Sequence, residues 1–414
     1  MFFIYQLIIF IGLFFLPLIF FVRFKKNKES IKSFSQKLSI PSKKRNNGNL
    51  VWFHGASVGE LMSVIPLIQK LEKNIQIKNI LVTTTTLSSY KVFKKFKFKK
   101  TIHQFFPIDF YFITKKFLKY WKPSIAIFID SEIWPCMFRE LNNNGIRLFL
   151  LNARITKKSY KKWIKFKKFG KKIFSYISKA YPQNIESHIF LKKLGVKNLK
   201  NLGNLKYTNL EKNSDLSEVL KYKKKFNNKL IFCAASTHEG EEEIIAKSHF
   251  ELKKKFKNIL TIIIPRHTTR INKIKLQINK LNLNYVVHSN NQIINNDTDL
   301  YLVDTYGETK KFFQISDIVF MGGSLINHGG QNPIEAARFG LKILHGPNVK
   351  NFNDIYKFFK QKKISYKVHT IRNIVDNVIK FIKNKKSNNK VINKYGEKIL
   401  EEAFNQINNE IKKT

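Results

Sequence analysis

The chain has 414 residues, a length that predicts two domains rather than one hydrophobic core. Its 76 Lys and Arg residues against 28 Asp and Glu residues give a formal net charge of +48, which favours an acidic partner such as phosphate or anionic lipid, although an AT-rich genome also produces a Lys-rich composition. Cys136 and Cys233 are the only cysteines and stand far apart, which argues against a disulfide framework or a zinc site and indicates a reducing compartment.

The N-terminal segment, residues 1–22, carries no charged residue and is followed at once by a basic cluster that starts with Arg23. That length suffices to span a bilayer, and basic residues after a span place the rest of the chain in the cytoplasm. A secretory signal would carry a basic start and a small-residue cleavage site, and both are missing, so we predict a retained single anchor. Pro17 leaves open a second interpretation, a helix lying in the membrane interface.

Short apolar runs alternate with amphipathic stretches after residue 48, a pattern typical of parallel α/β sheets. The strands predicted in the first half are Leu50–Phe53, Ile80–Thr84, Ile125–Ile129, Arg147–Leu151 and Ala180–Pro182. Those predicted in the second half are Leu230–Ala234, Ile259–Ile264, Tyr285–Val287, Leu300–Val303, Ile318–Met321 and Leu341–Leu344.

We therefore predict an α/β protein with two Rossmann-like domains that face a cleft. The domains cover residues 33–207 and 215–390, are joined near 203–215, and are followed by a C-terminal helix within 391–414. Ligands of such sheets bind beyond the carboxyl ends of the strands.

The first candidate site is the turn after Leu50–Phe53, where small residues lead into a helix predicted to begin near Glu60. At a helix N-terminus the macrodipole favours an ionised carboxylate, and a carboxylate at the mouth of a cleft suits a general base. A glutamate in this position serves equally well as a helix cap. The spacing alone leaves the two roles of Glu60 open.

A second candidate site follows the strand Ile125–Ile129, where Asp130 and Glu132 stand one residue apart. Two carboxylates this close repel each other, so we expect them to bind a ligand, to cap a helix or to hold a proton. The adjacent Trp134 and Pro135 make a stiff, bulky corner, which weakens the capping interpretation.

The second half places polar residues and glycines after successive strands, where a nucleotide is expected. Arg266 suits a two-pronged hydrogen bond to a phosphate, with a surface ion pair as the alternative. Pro333 is predicted as the first residue of a helix whose glycine-lined start faces a phosphate, and Glu335 suits ribose hydroxyls. The candidate binding residues are Ser236, Thr237, Pro265, Arg266, Tyr306, Gly307, Glu308, Gly323, Ser324, Asn332, Pro333, Ile334 and Glu335.

With these segments identified, residues 51–352 resemble the Kdo (3-deoxy-D-manno-octulosonic acid) transferases of lipopolysaccharide assembly, which have the two-domain glycosyltransferase-B fold. The segments that carry the resemblance are 57–60, 131–135, 152–154, 203–206, 236–242, 265–267, 322–324 and 332–335. The resemblance implies an inverting transfer of Kdo from CMP-Kdo to the lipid A precursor, lipid IVA. It also implies one N-terminal anchor in the bacterial inner membrane, with the catalytic body on the cytoplasmic side.

By this resemblance, Glu60 takes the proton from the acceptor hydroxyl, and the turn with Asp130 and Glu132 supports the transition state. The family pattern at that turn is Glu-x-Glu, so Asp130 stands where a glutamate is usual, and the more important of the two carboxylates stays undecided. Lys206 offsets the charge of the departing phosphate or of the Kdo carboxylate.

The resemblance further implies that the segment of Pro265 and Arg266, the turn of Gly307 and Glu308, and the helix start at 332–335 hold the CMP part of the donor. No metal or other cofactor is implied, because CMP carries a single phosphate that basic groups can neutralise. Anionic inner-membrane lipid is the further expected partner of the basic surface, and nucleic acid is not expected.

A few positions depart from the family pattern. Gln331 and Asn348 replace histidines, Thr309 replaces a leucine, and the loop Thr83–Tyr90 lacks a Thr-Pro-x-Gly motif. The loop lies on the acceptor side, so this departure concerns the choice of acceptor more than the chemistry.

Two other functions are consistent with parts of the sequence. A transferase or epimerase of the same fold acting on another nucleotide sugar would use similar turns. A membrane-tethered nucleic-acid-binding protein would use interleaved basic and aromatic residues, as in Lys161–Lys172 with Trp163, Phe166 and Phe169, but it leaves the glycine and carboxylate turns without a purpose.

Overall fold

The computed structural model describes residues 1–208, 216–226, 229–383 and 390–413, which fall into two compact units. The first unit joins Met1–Leu210 to Lys394–Thr414, and the second is Glu211–Asn393. Most of the predicted linker, from 209, and the predicted domain start at 215 lie outside the described residues.

The first unit is built on a six-stranded parallel sheet in the order β3-β2-β1-β4-β5-β6. Its strands are β1 Leu50–His54, β2 Asn79–Thr84, β3 Thr101–Phe105, β4 Ile125–Ile129, β5 Arg147–Ala153 and β6 Lys179–Pro182. The strand order reverses between β1 and β4, which pair directly. In open parallel sheets this reversal opens the crevice in which ligands bind, so the turns after β1 and β4 flank the expected site.

Helices cover both faces of this sheet and bury an apolar cluster that includes Trp52, Phe128 and Phe138. They are α1 Phe2–Phe14, α2 Leu16–Lys25, α3 Ile31–Lys37, α4 Val58–Glu72, α5 Leu87–Phe93, α6 Tyr111–Trp121, α7 Pro135–Asn143, α8 Lys157–Lys165, α9 Lys167–Ser175 and α10 Ile185–Leu194. Trp163 and Phe169 pack against this cluster, whereas Phe166 is exposed, so the three aromatic residues predicted for a nucleic-acid surface do not share one exposed face.

The N-terminal segment differs from the single helix predicted for it. It forms α1 and α2, which are bent by 57° relative to each other at Phe15. Pro17 lies in the first turn of α2 and has no N–H group with which to continue α1. No single helix among the described residues is long and apolar enough to cross a bilayer, although this bent pair together is. The predicted continuous anchor is therefore not confirmed.

The second unit is built on a seven-stranded parallel sheet in the order β13-β12-β11-β7-β8-β10-β9. Its strands are β7 Leu230–Thr237, β8 Ile259–Pro265, β9 Tyr285–Val287, β10 Leu300–Leu302, β11 Ile318–Met321, β12 Lys342–His345 and β13 Ser365–Lys367. Its helices are α11 Leu216–Lys225, α12 Glu241–Lys253, α13 Ile271–Asn279, α14 Thr309–Ile315, α15 Ile334–Arg338, α16 Asn353–Gln361 and α17 Ile371–Lys383. Here the order reverses between β7 and β11, so the turns after these two strands adjoin.

The C-terminal helix, α18 Lys390–Ile411, returns to the first unit, a placement that the sequence does not reveal. Arg147 at the start of β5 pairs with Glu410 at 2.8 Å. Gly396 lies against the 3₁₀ turn Leu205–Thr208 so closely that a Cβ atom there would overlap the carbonyl oxygen of Tyr207. This helix therefore supports the turn that carries Lys206.

Replacing Gly396 by Ala is expected to push α18 away from the 3₁₀ turn and to destabilise the first unit by about 2 kcal/mol, as overpacking does in well-packed cores. Denaturant unfolding followed by circular dichroism measures the effect. Gly59→Ala is the matched control, since no atom lies within 4 Å of its added Cβ and alanine favours a helix. Equal stability of Gly396→Ala and the unmodified protein would contradict the close packing.

Candidate active site

Glu60 lies in the first turn of α4, directly after β1, and caps its own helix. Its Oε2 atom accepts hydrogen bonds from the amides of Ala56 at 2.6 Å and Ser57 at 3.2 Å, and the Ser57 hydroxyl accepts one from the Glu60 amide. The capping role that the sequence leaves open is thus present. It fixes one carboxylate oxygen and leaves Oε1 without a hydrogen bond from the described part of the chain.

The pKa of the same carboxyl suits a general base. Burial and, after it, the nearby charges of Glu132 and Asp130 together raise the pKa of Glu60 to about 7, and the hydrogen bonds from Ser57 oppose this with a smaller effect. A base with a pKa near the working pH is partly ionised and still basic enough to take a proton from a hydroxyl. Capping and proton transfer are therefore compatible roles for this residue.

Asp130 follows β4 and is buried in a left-handed backbone conformation, with φ of 54°. The side-chain amide of Asn152 donates to its Oδ1, and the Lys206 ammonium lies 3.8 Å from its Oδ2. Burial raises the pKa of Asp130, while Lys206 and Asn152 act in the opposite direction. The two partners therefore favour the charged form of a carboxylate that its surroundings desolvate.

Asn152 also fixes the segment that carries Lys206. Its Oδ1 accepts from the amide of Leu205 at 2.9 Å, so one side chain joins the turn after β4 to the 3₁₀ turn. Asn152 itself has a left-handed φ of 53°, at a bulge in the pairing of β5 with β6. The segment 152–154 carries part of the family resemblance, but the sequence predicts no role for Asn152.

Glu132 is held by two aromatic partners. The Trp134 indole donates to its Oε2 at 2.9 Å, and the His54 Nε2 lies 3.2 Å from the same oxygen. Burial lowers the pKa of His54, whose ring stacks on Phe106 at 3.8 Å, so the imidazole is neutral at pH 7. A proton on Nε2 then donates to Glu132, and Nδ1 accepts from the Thr83 hydroxyl at 2.9 Å.

The four predicted catalytic residues thus lie together at the carboxyl edge of the first sheet. Glu60 follows β1, Asp130 and Glu132 follow β4, and Lys206 contacts Asp130 from the 3₁₀ turn. His54 is a member of the cluster that sequence analysis does not single out. The only signal for it is its position as the last residue of β1.

In the second unit, Glu241 at the start of α12 ties two loops together. Its carboxylate is fully buried and accepts four backbone hydrogen bonds, from His238 at 3.0 Å, Gly323 at 2.6 Å, and Ser324 and Leu325 at 2.9 Å each. The loop after β7 is thereby fixed to the loop after β11. No role is assigned to Glu241 from the sequence.

Ser324 and Gly323, both predicted to bind substrate, take part in this internal network. The Ser324 hydroxyl donates to the carbonyl of Met321 at 2.6 Å and accepts from the amide of Gly346 at 2.8 Å. Gly322 lies so close to the carbonyl of Ser236 that a Cβ atom would overlap it. These contacts give the loop a fixed shape and occupy the Ser324 side chain within the fold.

Imidazoles and arginines gather beside this loop. His238 lies 4.0 Å from His328 and 6.0 Å from His267, measured between ring centroids. Burial and, after it, the neighbouring imidazoles, Arg270 and Arg266 together lower the pKa of His238 to about 4. An anion bound here would relieve that repulsion.

Thr237 and Arg266 lie at the same edge of the second sheet. The hydroxyl of Thr237, at the end of β7, is fully buried and finds no hydrogen-bond partner among the described residues. Arg270 forms a two-pronged ion pair with Glu242 at 2.9 and 3.1 Å, whereas Arg266 forms no ion pair with an acidic side chain in the described ranges.

The remaining predicted binding residues lie at the starts of α14 and α15. Tyr306 is 70 % exposed, Gly307 has a φ of 92°, and Glu308 precedes α14. The Asn332 side chain accepts from the amide of Ile334 at 3.1 Å.

Pro333 is the N-cap residue of α15, which begins at Ile334. The helix therefore begins one residue later than predicted. Burial lowers the pKa of Lys310 and of Arg338, and the Glu335 carboxylate opposes this, so Glu335 lies among cationic groups. Within the described ranges, no group of three or more His, Cys, Asp or Glu side chains is arranged to hold a metal ion.

Comparisons with known proteins identify the family of the chain. Residues 32–209 match the family model described as 3-deoxy-D-manno-octulosonic-acid transferase (kdotransferase). A 3-deoxy-D-manno-octulosonic acid transferase of Rickettsia bellii is 34% identical over 412 residues, covering 94% of this chain and 97% of the relative. The Haemophilus influenzae transferase of the same name is 30% identical over 356 residues, 85% of this chain and 83% of the relative. The chain therefore belongs to the 3-deoxy-D-manno-octulosonic acid transferase family.

Among solved structures, the chain is similar to the UDP-GlcNAc 2-epimerase of Neisseria meningitidis bound to UDP-GlcNAc, with a TM-score of 0.57 and 14% identity. The match covers 89% of this chain and 100% of the epimerase. At this level of identity the likeness shows the fold alone. It confirms the predicted pair of Rossmann-like domains of the glycosyltransferase-B type.

Replacing Glu241 by Gln is expected to destabilise the second unit by about 3 kcal/mol, because the amide would turn an N–H₂ group towards backbone donors and leave buried amides without an acceptor. Thermal unfolding and amide exchange of residues 322–325 measure the effect. The matched control is Glu239→Gln in the same turn, since the Glu239 side chain is exposed and should be replaceable without measurable change. Equal stability of both variants would show that Glu241 does not hold the loop.

Proposed function

We propose that this member of the 3-deoxy-D-manno-octulosonic acid transferase family transfers Kdo from CMP-Kdo to a hydroxyl of the lipid A precursor, lipid IVA, in lipopolysaccharide core assembly. The observation that carries the proposal is the Glu60 carboxyl, whose pKa is raised to about 7 beside Asp130 and Glu132 at the carboxyl edge of the first sheet. Membership of the family supports Kdo as the transferred sugar, and the position and raised pKa of Glu60 support its role as the general base.

In the proposed reaction, the acceptor hydroxyl oxygen attacks the anomeric carbon of Kdo while its proton passes to the free Oε1 of Glu60. The bond between that carbon and the phosphate oxygen breaks on the opposite face, and CMP leaves with the bonding electron pair. The anomeric configuration is therefore inverted. The Ala56 and Ser57 amides hold Oε2, so the base keeps one orientation while it takes the proton.

Asp130, Glu132 and Lys206 have electrostatic roles in this proposal. The two carboxylates keep Glu60 basic, and their negative charge favours the positive charge that develops on the anomeric carbon as CMP departs. Lys206, 3.8 Å from Asp130, offsets the negative charge of the phosphate or of the Kdo carboxylate. Of the two carboxylates, Glu132 contributes more to the raised pKa of Glu60.

We assign the donor to the second unit and the acceptor to the first, as the predicted domains 215–390 and 33–207 require. The arginine and imidazole groups around His238 suit the phosphate and carboxylate of CMP-Kdo, and the buried Thr237 hydroxyl has a free hydrogen bond to offer. Glu241, Gly323 and Ser324 shape the loop that faces them. The proposed donor contacts are Ser236, Thr237, Pro265, Arg266, Tyr306, Gly307, Glu308, Asn332, Pro333, Ile334 and Glu335.

We further propose that α1 and α2 attach the first unit to the cytoplasmic face of the inner membrane. Large apolar side chains of both helices are exposed, among them Phe3, Ile8, Phe14 and Leu18. Basic residues follow at the end of α2, where Arg23 begins the cluster, and these suit the headgroups of anionic lipid. The lipid A precursor lies in the same membrane.

The decisive test is transfer of labelled Kdo, generated as CMP-Kdo in situ, to lipid IVA by the detergent-extracted chain. Glu60→Gln is expected to lower transfer at least about a hundredfold, because it removes the general base, and to leave donor binding unchanged. In the unmodified chain, kcat/KM should rise about tenfold per pH unit below pH 7 and level off above it, since only the ionised Glu60 accepts the proton.

Glu186→Gln, on the exposed start of α10, is the matched control and should transfer normally. Loss of donor binding together with transfer in Glu60→Gln would contradict the assignment of the base. Absence of transfer by the folded, unmodified chain would contradict the donor or the acceptor. Competition by UDP-sugars would favour a transferase or epimerase of the same fold that acts on another nucleotide sugar.

A further inference from the structure

The helix α1 has two different faces. The residues that are partly covered are Phe2, Tyr5, Gln6, Ile9 and Leu13, which recur at the spacing of one helix face. The opposite face carries exposed apolar side chains. The covered face includes the only two strongly polar side chains of the charge-free N-terminal segment, Tyr5 and Gln6. A helix that served solely as an apolar anchor would have no need of them.

These polar side chains bind the catalytic unit. The Tyr5 hydroxyl donates to Oδ2 of Asp109 at 2.6 Å, and Oε1 of Gln6 accepts from the amide of Tyr111 at 3.0 Å. On the same face, the Arg139 guanidinium lies 4.4 Å from the ring centroid of Phe2. Phe10, which is itself exposed, stacks on Phe110 at 5.9 Å. The helix therefore contacts the segment 109–111, which leads into α6, and Arg139 of α7.

Asp109 connects α1 to the start of α7, next to the turn that carries Glu132. It is only 2 % exposed, and besides Tyr5 it accepts hydrogen bonds from the amides of Cys136 at 2.9 Å and Met137 at 2.8 Å. These are the second and third residues of α7, whose own amides have no acceptor within the helix. Asp109 thus fixes the start of α7 as an N-terminal cap supplied from another segment.

The residue just before α7 is Trp134, which donates to Glu132. A movement at the start of α7 therefore moves the indole that orients a catalytic carboxylate. Trp134 also accepts from the amide of Phe138 at 2.9 Å, so its backbone is part of the first turn of the helix. The chain of contacts runs from Tyr5 through Asp109 and the first turn of α7 to Glu132.

We propose that Tyr5 and Asp109 are positioning residues that hold the turn bearing Glu132 in its catalytic arrangement, so that the docked helix α1 is a structural part of the active site. This role goes beyond membrane attachment. Its kinetic consequences rest on the transfer reaction proposed above, whereas its structural consequences are independent of any substrate.

Tyr5→Phe separates the two roles of α1. The substitution removes one hydroxyl and makes α1 more apolar, so an anchor alone would bind membrane as well as before or better, and transfer would be undiminished. The positioning role predicts the opposite. We expect kcat to fall about tenfold with KM for CMP-Kdo unchanged, because a hydrogen bond to a buried carboxylate is lost and the site is displaced.

The matched control is Ile8→Ala, which shortens a side chain that is 62 % exposed on the opposite face of α1. It should weaken vesicle binding and leave kcat on detergent-dispersed lipid IVA unchanged. Asp109→Asn should lower kcat at least as much as Tyr5→Phe, and the double variant should be little worse than Asp109→Asn alone, since both substitutions break one network.

Amide exchange of residues 130–138 in the full chain, measured without substrate, tests the contact separately from the reaction. Faster exchange in Tyr5→Phe than in Ile8→Ala, together with the loss of kcat, supports the proposal. Unchanged kcat in Tyr5→Phe overturns it, whatever the exchange shows. If the unmodified chain transfers no Kdo, the proposed function fails, and unchanged exchange in Tyr5→Phe would then overturn the positioning role independently.

Discussion

Repulsion among three carboxylates at one edge of a parallel sheet is the constraint on which the first unit depends. Each carboxylate has its own stabilising partners. Backbone amides donate hydrogen bonds to Glu60, Lys206 and Asn152 contact Asp130, and the Trp134 indole donates to Glu132. Burial, followed by the charges of Glu132 and Asp130, outweighs the hydrogen bonds to Glu60 and raises its pKa to about 7. The reversal of strand order between β1 and β4 brings the three carboxylates together, so the fold contributes to the raised pKa of Glu60.

The second unit has the opposite electrostatic character at the corresponding edge of its sheet. Within the described ranges, its buried glutamates both have partners in the fold. Glu241 accepts hydrogen bonds from four backbone amides, and Glu242 pairs with Arg270. What remains around the loop after β7 is Arg266 together with imidazoles such as His238, whose depressed pKa reflects burial and positive neighbours. A unit that carries a base and a unit that favours an anion suit the transfer of a sugar from an anionic donor to a hydroxyl.

Apolar runs predicted most strands because the central strands of parallel sheets are buried on both faces. The strands that escaped prediction, Thr101–Phe105 and Ser365–Lys367, lie at sheet edges and contain polar residues. The ends of predicted strands located Glu60 and the carboxylate turn, and the family resemblance gave them roles, but neither indicated the contacts that His54, Asn152 and Asp109 make. Asn152 and Asp109 act on segments 22 or more residues away in the chain, and no local pattern reports such contacts.

The central claim is that burial and the charges of neighbouring carboxylates raise the pKa of Glu60 to about 7. A pH titration of its carboxyl stretch, by infrared difference spectroscopy of the substrate-free chain against Glu60→Gln, tests this directly. We predict a midpoint near 7 that falls in Glu132→Gln, where one repelling charge is removed. A midpoint near 4.5, the ordinary value for a glutamate, would contradict the account.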